Sequence, residues 1–266
     1  MRRSPPRTGD PARVHSAAVS AVEFQFDDRS RTPDGDLGRA VASAWYARGT
    51  IPYRRERVAP TGSTVGVIVL GDPILETAGG PRAQPLRADH GFLIGSHDRP
   101  VINEPTGETF ARGIVTTPVG ARAALGVDPR AVAGAVVDLE SAWGAAAGLR
   151  ERLLAESDPE AMLDLMVATL DAGLDRAALA DPGAARCKRA IALLEADPVR
   201  PIGGMAAELG VSHGHLDREM NRMVGLGPRR LARPLRVERL PADIDLQAGA
   251  AWADLAANWA GPTSRT

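Results

Sequence analysis

The sequence predicts an α+β protein of more than one domain, in which a small β-barrel or sandwich precedes an all-α helix-turn-helix domain. Its 266 residues suit one large domain or two modest ones. Hydrophobic residues make up 44% and charged residues 24%, which is typical of a globular chain with a sizeable core. Short apolar runs separated by Gly and Pro fill the first half, and helical apolar spacing fills the second.

The first half contains a polar tail followed by a β-rich domain. Residues 1–35 are rich in Pro, Arg, Asp and Ser and are predicted to form a largely disordered tail. Residues 36–127 are predicted to form a β-rich sensor or association domain that opens with a short helix over 37–46. The strands of this domain are predicted from short apolar runs that end at Gly or Pro, namely 64–70, 74–77, 91–95, 100–102 and 109–115.

The second half contains Asp-Pro pairs at which helices are predicted to begin. Asp128 can cap a helix that starts at Pro129, and another pair at 158–159 precedes an apolar stripe of helical period. A third pair is followed by Gly and marks the preferred domain boundary. The predicted divisions are a helical connector over 128–181, a break at 181–183 and a helix-turn-helix domain over 184–266.

Residues 201–220 have the pattern of a helix, a tight turn and a second helix. Gly210 stands where the first helix must end in a left-handed turn, a conformation that costs glycine little. Ser212 can cap the second helix by accepting a hydrogen bond from an exposed backbone N–H. The apolar positions that would join the two helices are Met205, Leu209, Val211, Leu216 and Met220.

The second helix of this unit is expected to enter the major groove of double-stranded DNA. Its N-terminal amides, next to Ser212, can meet phosphates, while Arg can bond a guanine edge and Asn an adenine edge. Residues 212–240 hold seven Arg against three acidic residues, although the whole chain has a net charge of −1. The predicted base-reading residues are His213, His215, Arg218 and Asn221. The predicted phosphate-binding residues are Arg222, Arg229, Arg230 and Arg233.

The sequence around this unit resembles AraC-type regulators, the arabinose-regulator family. Residues 225–239 are similar to the turn and linker helix that follow the family's first recognition helix, and 252–257 to the opening of its second unit. Arg218 matches the recognition-helix arginine, with Met220 in an aromatic position. The resemblance implies a cupin-like N-terminal module that senses a small molecule or mediates association. The segments similar to that module are 52–62, 70–73, 91–95, 120–127 and 138–144.

The sequence departs from that family pattern in the linker and in the second unit. Pro234 and Pro241 fall in the expected linker helix, and an interior Pro costs about 3 kcal/mol, so we expect a kinked or broken linker. Few residues follow Ala260, so the second recognition helix is expected to be truncated. Losing those contacts predicts weak, salt-dependent DNA binding by a monomer, which a homodimer formed through the N-terminal region would offset.

No catalytic residue, metal or cofactor is predicted, and the chain is not expected to be an enzyme. Cys187 is the only cysteine, which excludes an internal disulfide and a cysteine-based zinc site. His90 and His97 lack the spacing of a facial-triad site. His213 and His215 would face apart on a helix. A metal-dependent cupin-like enzyme is the least favoured of three interpretations.

The favoured interpretation is a cytoplasmic transcriptional regulator that responds to a small-molecule effector and has no membrane partner. The basic start is followed by no apolar stretch of the kind found in a secretory signal. No run approaches the roughly 20 apolar residues that span a bilayer. No motif identifies ligand-binding residues. The second interpretation is a degenerate paralogue that senses a ligand or oligomerises without tight DNA binding, which the truncated end and the two prolines favour.

Overall fold

The computed structural model describes residues 26–51, 53–79 and 83–238. In that part of the chain, ten strands form two antiparallel sheets. The six-stranded sheet has the spatial order β1 (Phe26–Arg31), β2 (Val41–Thr50), β9 (Glu108–Thr116), β4 (Val65–Val69), β7 (Gly91–Ile94) and β10 (Val136–Asp138). The four-stranded sheet has the order β3 (Glu56–Val58), β8 (Val101–Pro105), β5 (Ile74–Thr77) and β6 (Leu86–Ala88).

The two sheets pack face to face around a shared apolar core. The six-stranded sheet contributes Val67 and Phe92 to it, and the four-stranded sheet contributes Ile74 and Val101. The opposite face of the six-stranded sheet packs against helices, so its central strands are buried on both sides. The β sandwich predicted from the apolar runs is therefore confirmed, while its likeness to a cupin stays a prediction.

Helices cover one face of the sandwich and continue into a second core. Those that precede or cover the sheet are α1 (Gly35–Ala40), α2 (Ala121–Leu125), α3 (Pro129–Val132), α4 (Leu139–Ala142), α5 (Ala146–Leu154), α6 (Pro159–Ala172) and α7 (Arg176–Leu179). The second core is built by α8 (Pro182–Ala196), α9 (Ile202–Glu208), α10 (His213–Val224) and α11 (Pro228–Glu238). Among the described residues, no helix has the length and apolar character needed to cross a membrane.

Each of the three Asp-Pro pairs begins a helix, which confirms the starts predicted at 128 and 158 and corrects the break predicted at 181–183. Asp128, Asp158 and Asp181 precede α3, α6 and α8, whose first residue is in each case the proline. Each aspartate accepts a hydrogen bond from a backbone N–H of the first turn, at 2.7 to 3.3 Å. A single local interaction therefore determines where these helices start.

Three predicted boundaries differ from the structure. Strand β1 starts at Phe26, so the tail predicted over 1–35 is too long, and residues 1–25 lie outside the described part. The helix predicted over 37–46 ends at Ala40, because β2 pairs with β1 on one side and β9 on the other, and this ladder outweighs the Ala-rich helix propensity. The connector contains β10, which pairs with β7 at the edge of the larger sheet.

Candidate nucleic-acid interface

The segment 201–224 forms the helix, turn and helix that its sequence predicts. Helix α9 ends before Gly210, which has φ +72°. The N–H of Val211 donates to the carbonyl of Ala206 over 3.0 Å, which closes the turn. Ser212 then caps α10 by accepting from the N–H of His215 at 3.2 Å. The turn therefore depends on one left-handed glycine and one capping hydroxyl.

One face of α10 packs into the second core. Leu216 and Met220 are fully buried, and they contact the cluster that contains Met205 of α9 and Cys187 of α8. Burial among these side chains raises the pKa of the Cys187 thiol to about 12, so this cysteine is a packing residue rather than a nucleophile. The packed face determines which side chains of α10 point outward.

The outward face of α10 is free at its N-terminal end. Ser212, His213, His215 and Arg218 are all exposed. Neither His213 nor Arg218 has a hydrogen-bond or ion-pair partner in the described part of the chain. The Arg218 guanidinium lies over the first turn, where Nη1 is 3.4 Å from the position that a Cβ on Gly214 would take. A capped helix end and a free guanidinium thus share one open surface.

His215 belongs to a small polar cluster beside that surface. Arg186 of α8 donates to both carboxylate oxygens of Glu219 at 2.6 Å, and the Glu219 side chain is only 10% exposed. The His215 Nε2 atom lies 3.3 Å from Arg186 Nη1 and 3.7 Å from Glu219 Oε1. This ion pair connects α10 to α8 and holds the helix at a defined rotation.

Asn221 and Arg222, two of the predicted DNA contacts, have partners within the protein. The Asn221 amide is half-buried and donates to the backbone carbonyl of Asp217 over 2.8 Å. Arg222 donates to the two carboxylate oxygens of Asp181 at 2.7 and 3.2 Å. Those hydrogen bonds hold the pKa of Asp181 below its ordinary value. Arg222 therefore joins α10 to the start of α8, whereas Asn221 is bonded within α10 itself.

The basic residues of α11 also differ in whether they have a partner within the described residues. Arg229 is exposed and has no partner in the described ranges. Arg230 donates to Asp98 through Nε at 3.2 Å and Nη2 at 2.9 Å, and Arg233 donates to the same carboxylate at 3.1 Å. Asp98 follows β7 in the β domain, and its side chain is 7% exposed. These hydrogen bonds, led by that of Arg230, lower the pKa of Asp98.

The linker helix is less disrupted than its prolines predict. Helix α11 runs from Pro228 through Pro234 to Glu238, so of the kink or break expected at Pro234 the break is wrong, while the kink stays a prediction. Pro234 is buried, and because it has no backbone N–H, one helical hydrogen bond of α11 is not made. Pro241 and the segment 252–257, which resembles the opening of the second unit, lie outside the described residues.

A hydrogen bond from a side-chain hydroxyl to a backbone carbonyl joins the end of α10 to the β domain. Ser96 Oγ donates to the carbonyl of Val224 over 2.5 Å. The next residue, Gly225, has φ +82°, and a Cβ there would lie 2.5 Å from the carbonyl oxygen of Pro129. Glycine is therefore required both by the backbone conformation and by the close approach of α3. This contact, with the Asp98 ion pairs, positions the helical domain on the sandwich.

Sequence reasoning missed the residues that supply these partners. Ser96 and Asp98 lie 128 and 132 positions from the groups they bind, and no local pattern signals such a contact. Glu219 carried a weak signal, because it stands four residues after His215 on the same helix face.

Two further histidines, His90 and His97, lie in the β domain. His90 Nδ1 lies 3.2 Å from Glu140, and His97 Nδ1 lies 2.9 Å from the carbonyl of Gly95. In the described residues no group of three or more His, Cys, Asp or Glu side chains is placed to hold a metal ion.

Comparisons with known proteins give only distant structural likeness. No family model and no curated protein matches the chain. ToxT from Vibrio cholerae is similar over 81% of each chain, with 8% identity and a TM-score of 0.36. The AraC-like transcriptional activator CuxR is similar over 81% of this chain and 87% of its own, with 15% identity and a TM-score of 0.30. Vicilin from Corylus avellana (hazelnut) covers 50% of this chain and 45% of its own, with 16% identity and a TM-score of 0.25. Likeness at this level identifies neither family nor function, which must be argued from the residues.

Proposed function

We propose that this chain is a sequence-specific, DNA-binding transcriptional regulator of AraC type and that α10 is its major-groove helix. The observation that carries the proposal is the open N-terminal end of α10, where the capped amides and the unpaired Arg218 lie on one surface. Helix N-termini attract phosphates, and a free guanidinium can bond a guanine edge through two N–H groups.

The exposed residues of α10 and α11 are assigned contacts with DNA bases or phosphates according to their positions on the two helices. His213, His215 and Arg218 would face base edges, and Ser212 would keep the helix start in place beside a phosphate. Arg229, which lies exposed at the start of α11, would bind the DNA backbone. The three positions on α10 lie within six residues, which suits the few base pairs that one recognition helix spans.

Four of the predicted DNA contacts already have hydrogen-bond partners within the protein and take a second role. Arg222 holds α10 against the start of α8, and Asn221 is bonded within α10, so we assign both to structural roles rather than to DNA contacts. Arg230 and Arg233 would share their N–H donors between Asp98 and DNA phosphates, and that sharing would make DNA binding sensitive to the domain junction. A cytoplasmic location, a small-molecule effector and a homodimer formed through the N-terminal region belong to the same proposal.

The test is to select duplexes from a randomised pool with the full chain and to measure binding by fluorescence anisotropy. We expect the selected duplex to bind more tightly than its scrambled sequence, with affinity that falls steeply as salt rises. Equal affinity for both duplexes would mean that the chain binds DNA only through non-specific charge attraction, and this result would contradict the proposal. Absence of binding at low salt would favour the second interpretation, a paralogue without DNA binding.

A further inference from the structure

Three polar side chains form a row across the inner face of the four-stranded sheet. In the strand register, Glu56 of β3 lies opposite Asn103 of β8, and Asn103 lies opposite Glu76 of β5. Val101 and Ile74 stand two positions before the last two of these residues and belong to the apolar core between the sheets. Because side chains two positions apart on a strand point to the same face, the row also faces that core. We call these three residues the polar row.

Glu76 is the buried member of the polar row. The residue is 1% exposed, and its Oε1 atom accepts a hydrogen bond from Asn103 Nδ2 over 2.5 Å. This bond directs the carboxyl group toward β8, which separates β5 from β3. The other oxygen, Oε2, is buried and has no hydrogen-bond partner in the described residues. A buried polar atom without a partner is costly, so Oε2 needs either a proton or a ligand.

The other two members of the polar row connect this buried carboxyl group with solvent. Glu56 and Asn103 are half-buried, and Val58, two positions after Glu56, packs against the same apolar core. The Tyr53 hydroxyl, on a residue that is 37% exposed, donates a hydrogen bond to Glu56. Asn103 Oδ1 has no partner in the described part of the chain. The polar row therefore leads from a half-exposed carboxylate to a buried one.

The polar row concentrates negative charge in an apolar environment. Within the described ranges, no Arg, Lys or His side chain bonds to Glu56 or Glu76. Leu86 of β6 lies opposite Glu76, and Val67 and Phe92 represent the facing sheet in the shared core. Burial, together with the charge of Glu56, raises the pKa of Glu76 to about 8. A cation held between the two carboxylates would remove this repulsion and supply the missing partner of Oε2.

We propose that the polar row binds one divalent cation of the class that prefers oxygen ligands, such as Mn²⁺, Mg²⁺ or Ca²⁺. Glu76 Oε2, the Glu56 carboxylate and Asn103 Oδ1 would be its protein ligands, and water would complete the coordination. Neighbouring strands lie about 4.8 Å apart, so the two longer glutamate side chains can converge over the shorter asparagine between them. This site does not depend on DNA binding.

The binding test is electron paramagnetic resonance of the full chain, freed of metal by a chelator, during titration with MnCl₂. The signal of free Mn²⁺ falls as the ion binds, and we expect one equivalent per chain that MgCl₂ or CaCl₂ displaces. Glu76→Gln keeps the shape of the side chain but not its charge and should weaken Mn²⁺ binding at least tenfold. Absence of that equivalent would overturn the proposal and would mean that a proton alone satisfies Glu76.

The matched control is Glu104→Gln on the same strand. Glu104 follows Asn103 directly, so it points to the opposite face, where it lies 3.8 Å from Arg55. This variant should bind Mn²⁺ like the wild-type chain. Should Glu76→Gln fail to fold, Glu56→Gln changes the half-exposed ligand and should also weaken Mn²⁺ binding about tenfold. Equal Mn²⁺ affinities of Glu56→Gln and Glu104→Gln would overturn the proposal.

Thermal unfolding distinguishes this site from loose attraction of ions to the protein surface. A cation that binds only the folded chain raises Tm with its concentration. We expect MgCl₂ to raise the Tm of the wild-type chain and of Glu104→Gln above that in NaCl of equal ionic strength. The Tm of Glu56→Gln and Glu76→Gln should not respond in this way. A rise of the same size in all four proteins would place the bound ion elsewhere and contradict the proposal.

Discussion

The two ends of the α10–α11 unit differ in how their polar groups are used. At the start of α10, His213 and Arg218 are exposed and unpartnered within the described residues. At its far end, the Val224 carbonyl accepts from Ser96, and Arg230 and Arg233 of α11 bind Asp98. One end is therefore open for recognition, while the other joins the helical unit to the β domain.

This difference shows that a count of arginines overstates the number available for DNA. A free guanidinium exchanges water for phosphate, but a guanidinium bonded to a carboxylate must first give up that ion pair, and a partly exposed pair is worth up to about 1 kcal/mol. Arg218 and Arg229 can bind without that cost. Arg222, Arg230 and Arg233 contribute less net affinity, although all five lie in the same basic segment.

The largest expected effect is that of Gly225→Ala at the joined end. The substitution places a side chain on a backbone with φ +82° and brings its Cβ to 2.5 Å from the Pro129 carbonyl oxygen. Backbone strain and overpacking together predict a loss of about 3 kcal/mol in the free energy of unfolding. Chemical denaturation monitored by circular dichroism measures this loss.

The matched control is Gly210→Ala in the turn of the open end. Gly210 has φ +72°, but nothing lies within 4 Å of its Cβ position, so only the conformational cost of about 1 kcal/mol is expected. Equal losses for the two variants would show that the contact between Gly225 and α3 contributes nothing to stability.

The next effect concerns recognition at the open end. Arg218→Ala should reduce the difference in binding free energy between the selected and scrambled duplexes by about 2 kcal/mol, because a bidentate base contact is lost. Stability should not change, since the side chain has no partner in the described part of the chain. Anisotropy titrations on both duplexes provide the measurement.

Two further variants assign the effect of Arg218→Ala to base reading. Arg229→Ala should weaken both duplexes alike and lower the slope of log affinity against log salt by about one. Arg54→Ala removes an exposed arginine of the β domain and should change neither quantity. Identical losses of specificity from Arg218→Ala and Arg229→Ala would contradict the roles assigned to them.

The same contrast explains what the sequence could predict. The Asp-Pro starts at 128 and 158, the left-handed Gly210 and the Ser212 cap were predicted correctly, because each depends on groups within three residues of one another. The apolar runs of β4, β5, β7 and β9 were found for the same reason, since alternation or continuous burial is visible in a short window.

The missed features depend on distant partners. Strands β3, β6 and β10 have three residues each, and their backbone hydrogen bonds come from strands elsewhere in the chain. The partition of the basic residues also depends on Asp98, which is 132 positions from Arg230. Residue types therefore identified the candidate interface, but only the packing of the two domains separates free from committed side chains.

A smaller effect is expected when the ion pairs of the joined end are removed. Asp98→Asn should lower the free energy of unfolding at pH 7 by about 1 kcal/mol, because Arg230 and Arg233 lose a charged acceptor. It should also raise duplex affinity about threefold, since the released guanidiniums become available to phosphates. Denaturation and anisotropy on the same preparation measure both changes.

The pH dependence of stability provides an independent check on Asp98. Its pKa is held below the ordinary value of 3.8, so the stability that it contributes is fully present above that value and is lost as pH falls through the lowered pKa. The wild-type chain should lose more stability than Asp98→Asn over this acid range. If the free energy of unfolding changes with pH in the same way for both proteins, the ion pairs of Asp98 with Arg230 and Arg233 do not contribute to stability.

The smallest expected effect returns to the open end, at the Ser212 cap. Ser212→Ala removes the hydroxyl that accepts from the His215 N–H and should lower the free energy of unfolding by about 0.5–1 kcal/mol. Ser212→Gly should cost only a few tenths of a kcal/mol, because glycine leaves that N–H open to water. If Ser212→Ala is as stable as the wild-type chain, the hydroxyl does not hold the start of α10, and the fixed position assigned to Arg218 must come from the packing of Leu216 and Met220 alone.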